Sequence, residues 1–152
     1  MPTRSMTVAE FMTRSPHSIG AEQSLARAKA VMLKHRIRHL PVLHGGRLVG
    51  ILTDRDLHLV ESLEDIDPVL VTTSDAMSTS VYAVPPDTPL EAVVTQMAEH
   101  KYGSAVVMRD HAVVGIFTTV DACRALASLL RDTRRAVGGN PRRGSTMRAQ
   151  PR

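Results

Sequence analysis

The chain has 152 residues, 43% apolar and only 3% aromatic, with a formal net charge of +4. That length suits one compact body, or two small ones sharing a core filled by aliphatic side chains rather than rings. No apolar run reaches the roughly 18 residues needed to cross a bilayer, the N-terminus lacks the apolar stretch of a secretory signal, and the single Cys123 cannot close an internal disulfide, so a cytoplasmic protein without a membrane span is expected.

In chain order, Thr7-Val8-Ala9-Glu10 has the pattern of a capping box opening a short helical turn. A short strand is predicted around His17 to Ile19. The stretch SLARAKAVMLKH, 24–35, predicts a helix, because Leu25, Ala28 and Met32 recur at spacings of three and four. HLPVL and LVGIL then read as a hairpin turning through HGGR, where Gly45-Gly46 supplies the positive φ of a tight turn. Thr53 follows, and a helix from 54 to about 63. The acidic stretch ESLEDIDPVL, 61–70, is a connector in which Asp67-Pro68 disfavours helix.

The pattern then repeats. Sliding the chain by 65 positions lays residues 10–57 on 75–122 without a gap, Met12 on Met77, Leu25 on Leu90, Met32 on Met97 and His35 on His100. The second copy predicts a strand at Tyr82 to Val84 and a helix at 88–100. Thr88 is its expected N-cap, with Pro89 at the first helical position and Glu91 three after the cap. The hairpin SAVVM and VVGIF turns through RDHA, and a helix follows from 119 to about 131. A three-stranded sheet with two helices cannot bury both faces alone. We therefore expect an α+β fold: two tandem βαββα repeats, at 7–62 and 72–130 with a linker at 63–71, packed with pseudo-two-fold symmetry.

The charge is unevenly placed. Residues 131–152 hold seven of the 19 basic residues and one of the 15 acids, which leaves 12 basic and 14 acidic residues in a slightly acidic body. This tail has too few apolar groups to offset ordering entropy, so disorder is expected over 136–152.

Both hairpins end in Gly-Ile-x-Thr-x-x-Asp, GILTDRD at 50–56 and GIFTTVD at 115–121. One reading is structural: Thr and an acid three residues on resemble a capping box, although Asp is one methylene shorter than the usual Glu. The other is functional. The turn leads from a strand into a helix N-terminus, where free N–H groups attract anions. The Thr hydroxyl would then meet phosphate, and the Asp, acceptor-only when ionised, would take the hydroxyls of a ribose. The two readings are compatible.

The doubled pattern resembles a pair of cystathionine-β-synthase (CBS) domains, the Bateman module. The matching stretches are EFMTRSPHSI, RHLPVL and LVGILTDRDL in the first copy, and DAMSTSVYAV, GSAVVM and VVGIFTTVDA in the second. The resemblance spans residues 7 to about 130. It implies clefts between the copies for an adenosine ligand, AMP, ADP, ATP, NAD or S-adenosylmethionine, with the Asp of one copy on the ribose and strands of the other around the adenine. Carried onto this chain, one cleft combines Thr118 and Asp121 with Pro16, His17, Ile37, Arg38 and His39. The other combines Thr53, Arg55 and Asp56 with Val81, Tyr82, Gly103, Ser104 and Ala105.

Arg38 and His39 give the first cleft the better phosphate end, since Gly103 and Ser104 bring no charge, although Arg55 partly compensates in the second. Arg38 as a solvated charge and His39 as a satisfied, half-buried histidine are the alternatives. His35 and His39 straddle a helix end and a strand, so no metal site is expected. No catalytic constellation is legible, and the expected function is regulatory sensing rather than catalysis. The resemblance also implies a homodimer, and an effector protein is expected. The alternative partner is nucleic acid, held by the arginine-rich tail.

Overall fold

The structure is a computed structural model and describes residues 4–139. A 3-10 turn at Val8–Glu10 leads to β1 (Thr13–Arg14), β2 (Ile19–Gly20), α1 (Leu25–His35), β3 (His39–His44), β4 (Arg47–Thr53) and α2 (Asp54–Glu61). The second copy follows as α3 (Thr73–Ala76), β5 (Ala83–Val84), α4 (Leu90–His100), β6 (Ser104–Arg109), β7 (Ala112–Thr118) and α5 (Thr119–Gly138). The fold is α+β, as the repeat predicts.

One sheet has the order β2-β3-β4 and the other β1-β7-β6-β5. Both hairpins are antiparallel and carry a register shift at the same place, after Val42 and after Val107. The pseudo-symmetry extends to burial. The patterns of β3 and β6 match residue by residue, as do those of β4 and β7, and each strand has three consecutive buried residues. Such runs arise when both faces of a sheet are covered. Here one face packs on the helices of its own unit. The other meets its counterpart across a seam of Ile51, Val106 and Ile116, flanked by Leu48, Val81, Met108 and Val113.

The packed units are not the sequence repeats. The opening segment of the first copy closes the second unit: Val8 is fully buried among Val84, Leu90, Val93 and Phe117. Its N–H donates to Thr88 O at 2.9 Å, Leu90 N–H donates to Met6 O at 2.8 Å, and β1 pairs with β7. Reciprocally, the segment opening the second copy closes the first unit. Thr73 is fully buried with its N–H and hydroxyl both donating to Gln23 O, and Ser78 exchanges two 2.9 Å bonds with Ile51. Each unit thus borrows its cap from the other copy, which binds the halves into one body.

Two local expectations change. Thr88 does not cap α4; its hydroxyl and N–H both turn back to Pro85 O, and Pro89 is the N-cap. The antiparallel bridge between Thr7 and Pro89 holds this entry, so tertiary pairing overrides the local cap. Helix α5 runs to Gly138 rather than about 131, so 136–138 are helical, not disordered. The amphipathic pattern of ASLLRDTRRAV continues the helix beyond the body, and residues 130–139 are all exposed. The expectation of disorder over 140–152 lies outside the described residues. Among the described residues no helix is long and apolar enough to cross a membrane.

Candidate functional site

The two Thr-x-x-Asp turns have the same geometry. Asp56 Oδ2 accepts from Thr53 N–H at 2.9 Å and from Thr53 Oγ1 at 3.0 Å, while Asp56 N–H donates to Thr53 Oγ1 at 3.2 Å. At Thr118 and Asp121 the corresponding distances are 2.9, 3.1 and 3.4 Å. Both are full capping boxes, so the structural reading holds: each Asp closes its own helix start with Oδ2. Each retains a second oxygen, Oδ1. Among the described residues no donor lies on Asp56 Oδ1, whereas Asp121 Oδ1 accepts from Thr13 Oγ1 at 3.2 Å and lies 3.8 Å from Arg124 Nη1. Asp121 is 5% exposed, and Asp56 is half-buried.

Both turns open into one cleft of about 1050 Å³ that runs along the seam. Small-molecule sites typically measure about 300–1,000 Å³, so this one has room for a nucleotide. Its lining includes Arg14, Arg36, Arg38, Arg55, Lys101 and Arg124 against three carboxylates, Asp54, Asp56 and Asp121. Arg36 and Lys101 are equivalent under the 65-residue shift, and both end a helix in the left-handed conformation, at φ 53° and 57°. Glycine is the usual residue there, and a long cation bears a conformational cost in that position.

The aromatic groups also sit at the cleft. Tyr82 and Tyr102, the two tyrosines of the chain, stack at 5.1 Å, and His100 stacks on Tyr102 at 5.1 Å. On the other side His17 and His35 stack at 3.6 Å. Burial, with Tyr102 beside it, pushes the Tyr82 phenol up, so it stays a hydrogen-bond donor. Desolvation pushes the His35 imidazole down, and His17 and Lys34 add to this.

The model of the CBS domain family matches this chain twice, at residues 8–60 and 73–128. The chain belongs to the CBS domain family. Hypoxic response protein 1 of Mycobacterium tuberculosis is 30% identical over 121 residues, covering 79% of this chain and 85% of that protein. The CBS domain pair of protein MJ0100, solved in complex with 5′-methylthioadenosine and S-adenosyl-L-methionine, superposes with a TM-score of 0.75 at 26% identity, covering 82% of this chain and 98% of that one. CBSX2, solved in complex with AMP, gives 0.73 at 25% identity, with the same two coverages.

Within this CBS pair, fourteen of the fifteen residues expected from the sequence line the cleft. On one side Pro16, His17, Ile37, Arg38 and His39 lie with Thr118 and Asp121, and the Thr13–Asp121 bond ties these segments together. On the other, Thr53, Arg55 and Asp56 lie with Val81, Tyr82, Gly103 and Ser104, joined by the Ile51–Ser78 bridge. The exception is Ala105, which is fully buried in the core beside Val107 and Phe117. The strand alternation that brings Ser104 to the cleft turns the next side chain inward.

The charge expected on His39 also changes. Its ring lies against Gly103, where a Cβ would come within 2.7 Å of Nε2. Desolvation there pushes its pKa down, only partly opposed by Asp54, with Arg38 lowering it further and Asp56 raising it. His39 is therefore predominantly neutral at neutral pH. Arg38 remains 79% exposed, 4.0 Å from Asp54 Oδ2.

Sequence reasoning passed over Thr13, Arg36, Lys101, Tyr102 and Arg124. A signal existed for two pairs: Arg36 and Lys101 coincide under the repeat, and Tyr102 is the only tyrosine besides Tyr82. Thr13 and Arg124 gave none, because their contact with Asp121 depends on the exchanged N-terminal segment and on a helix side chain folding back.

Proposed function

We propose that this CBS pair is a regulatory module that binds a phosphorylated adenosine, AMP, ADP or ATP, in the cleft between its repeats. The carrying observation is the charge of the lining: six Arg and Lys side chains against three carboxylates, around two helix N-termini. Anions gain from both features. S-adenosylmethionine carries a sulfonium and an ammonium group, so the same balance disfavours it. A half-free Asp suits the ribose diol, and the tyrosine pair suits a purine face. The ligands in the complexes of MJ0100 and CBSX2 support an adenosine site, and the AMP of CBSX2 supports the phosphorylated class.

Ligand binding to the native state raises the melting temperature by mass action. Thermal melts with AMP, ADP, ATP, NAD and S-adenosylmethionine test the proposal. Stabilisation by the phosphorylated compounds, weakened by salt and smaller for S-adenosylmethionine, is expected; no shift with any of them defeats it. The reading is of binding without turnover, and ligand recovered intact after long incubation is its corollary.

Occupancy would be read by an effector in the cytoplasm or by a second copy of the chain. The second copy is favoured by α5, whose residues 130–139 are exposed on every side. The projecting end carries exposed Leu130 and Val137 with Arg131, Arg134 and Arg135. The linker offers the complement: exposed Leu63, Ile66 and Leu70 among Glu64, Asp65 and Asp67.

A further inference from the structure

Resting on the reading of the cleft as an adenosine site, we infer that its two halves are unequal: Asp56 seats the sugar and Tyr102 stacks the base, while Thr13 keeps the Asp121 half closed. A carboxylate that holds a ribose must offer acceptor capacity beyond what its own helix uses. In both halves Oδ2 is filled by two donors of the capping box. The difference lies on Oδ1. At Asp56 it is open; at Asp121 Thr13 Oγ1 donates to Oδ1 at 3.2 Å while also reaching Oδ2 at 3.4 Å, and Arg124 faces Oδ1. A sugar hydroxyl entering there must displace a bond already made at a site only 5% exposed.

The repeat supplies an internal control. Thr13 and Ser78 occupy equivalent positions, opposite Ile116 and Ile51 in the same antiparallel register. Thr13 bonds to Asp121, yet Ser78 makes no corresponding bond to Asp56. The extra methyl of threonine restricts χ1 and favours one hydroxyl direction, whereas serine rotates freely. Arg124 likewise has Leu59 as its counterpart, so the Asp56 half lacks that cation. The base side is asymmetric in the same sense. The Asp56 half faces the Tyr82–Tyr102 stack, with Tyr102 37% exposed. The equivalents of these tyrosines in the other half are His17 and Ile37. An aromatic face open to the cleft takes a purine better than an isoleucine and a histidine already stacked on His35.

Calorimetric titration of the full chain with AMP and with ATP tests this. One site per chain is expected. Asp56→Asn abolishes it, and Tyr102→Ala weakens it about tenfold, the usual scale of a base–aromatic stack. Thr13→Val removes the hydroxyl at constant shape and adds a second, weaker site; Ser78→Thr weakens the first. Far-UV circular dichroism checks that each variant is folded. Two equivalent sites in the unaltered chain, or one site lost with Asp121→Asn and kept with Asp56→Asn, overturns the inference while leaving the adenosine reading intact. Absence of heat with both nucleotides, together with flat thermal melts, overturns the adenosine reading and this inference with it.

Discussion

Met12 lies over Gly115, its side chain filling the space a Cβ would take, and Met77 stands over Gly50 in the same relation. The structure makes them the pins of the exchanged segments, each laid on the strand glycine of the other copy's hairpin. Alanine at either glycine forces the pin outward. At Gly115 the near neighbours are all atoms of the flexible Met12 side chain, but at Gly50 the Ser78 carbonyl lies 2.8 Å from the new Cβ. Gly50→Ala is expected to destabilise by about 1–3 kcal/mol, and Gly115→Ala by less. Urea midpoints at constant m-value check the order.

The two capping carboxylates should also differ in what they hold together. Asp56→Ala removes one helix cap, a loss of about 1 kcal/mol. Asp121→Ala removes an equivalent cap and, in addition, the bond from Thr13, which joins the exchanged N-terminal segment to β7 and α5. A loss of about 2 kcal/mol is expected there, because the net value of one hydrogen bond, about 1 kcal/mol, adds to that of the cap. Chemical denaturation in the absence of ligand checks the ranking, and equal losses would contradict the latch.

Acid should loosen the ligand-free protein before its carboxylates titrate. The His39 pKa is lowered, chiefly by desolvation, so the unfolded chain binds the proton more readily. Its contribution to stability is therefore present above the ordinary histidine value of about 6.5 and is lost as pH falls toward the folded value. Arg38, Asp54 and Asp56 are the charged groups around it. His35 acts in the same direction. Melting temperature is expected to fall as pH drops below about 6.5, and His39→Gln should flatten part of that slope.

The hairpin turns predict opposite responses to losing and to gaining a glycine. Gly45 and Gly46 take φ of 57° and 78°, and in the second copy Asp110 and His111 adopt 50° and 66° without glycine. Gly46→Ala is expected to lose about 1 kcal/mol, and His111→Gly to gain about 0.5 kcal/mol after the entropy of the freer unfolded chain is counted. Thermal melts of the two variants check the signs.

Much of this was legible because the chain states its pattern twice. A period of 65 residues gave the element order, both hairpins and the two Thr-x-x-Asp turns, while the resemblance to CBS pairs implied two clefts, around Pro16 to His39 and Val81 to Ser104, which the structure joins into one. Periodicity fails where the two copies cooperate. Thr88 reads as a cap from its neighbours alone, but Met6 and Thr7 occupy that entry. Ala105 reads as cleft because Ser104 does, yet strand alternation buries it. The sequence puts the Asp121 half first, on Arg38 and His39; the opposite ranking turns on Thr13, 108 residues from Asp121 in the chain, and leaves no mark in the repeat. His39 reads as a cation until burial against Gly103 is known.

The projecting end of α5 gives the last prediction. Leu126, Leu130 and Val137 are 58, 61 and 79% exposed and lie on one helical face, which a monomer leaves in water. Docked on the Leu63–Leu70 stretch of a second copy, this face would be covered and its arginines would meet the linker's acids. Two copies can exchange the contact symmetrically, closing the assembly at a dimer. Sedimentation at micromolar concentration is expected to show a dimer. Leu130→Glu should yield monomers that keep the body but lose part of the α5 helicity. Arg131→Glu with Arg134→Glu should weaken the dimer, and Glu64→Lys with Asp65→Lys in that background should restore it, because the charges are exchanged between the same surfaces. A dimer indifferent to Leu130→Glu would place the contact elsewhere. A monomer with α5 fully helical would mean that the extension propagates from the packed part of α5 without a partner, and would end the dimer reading.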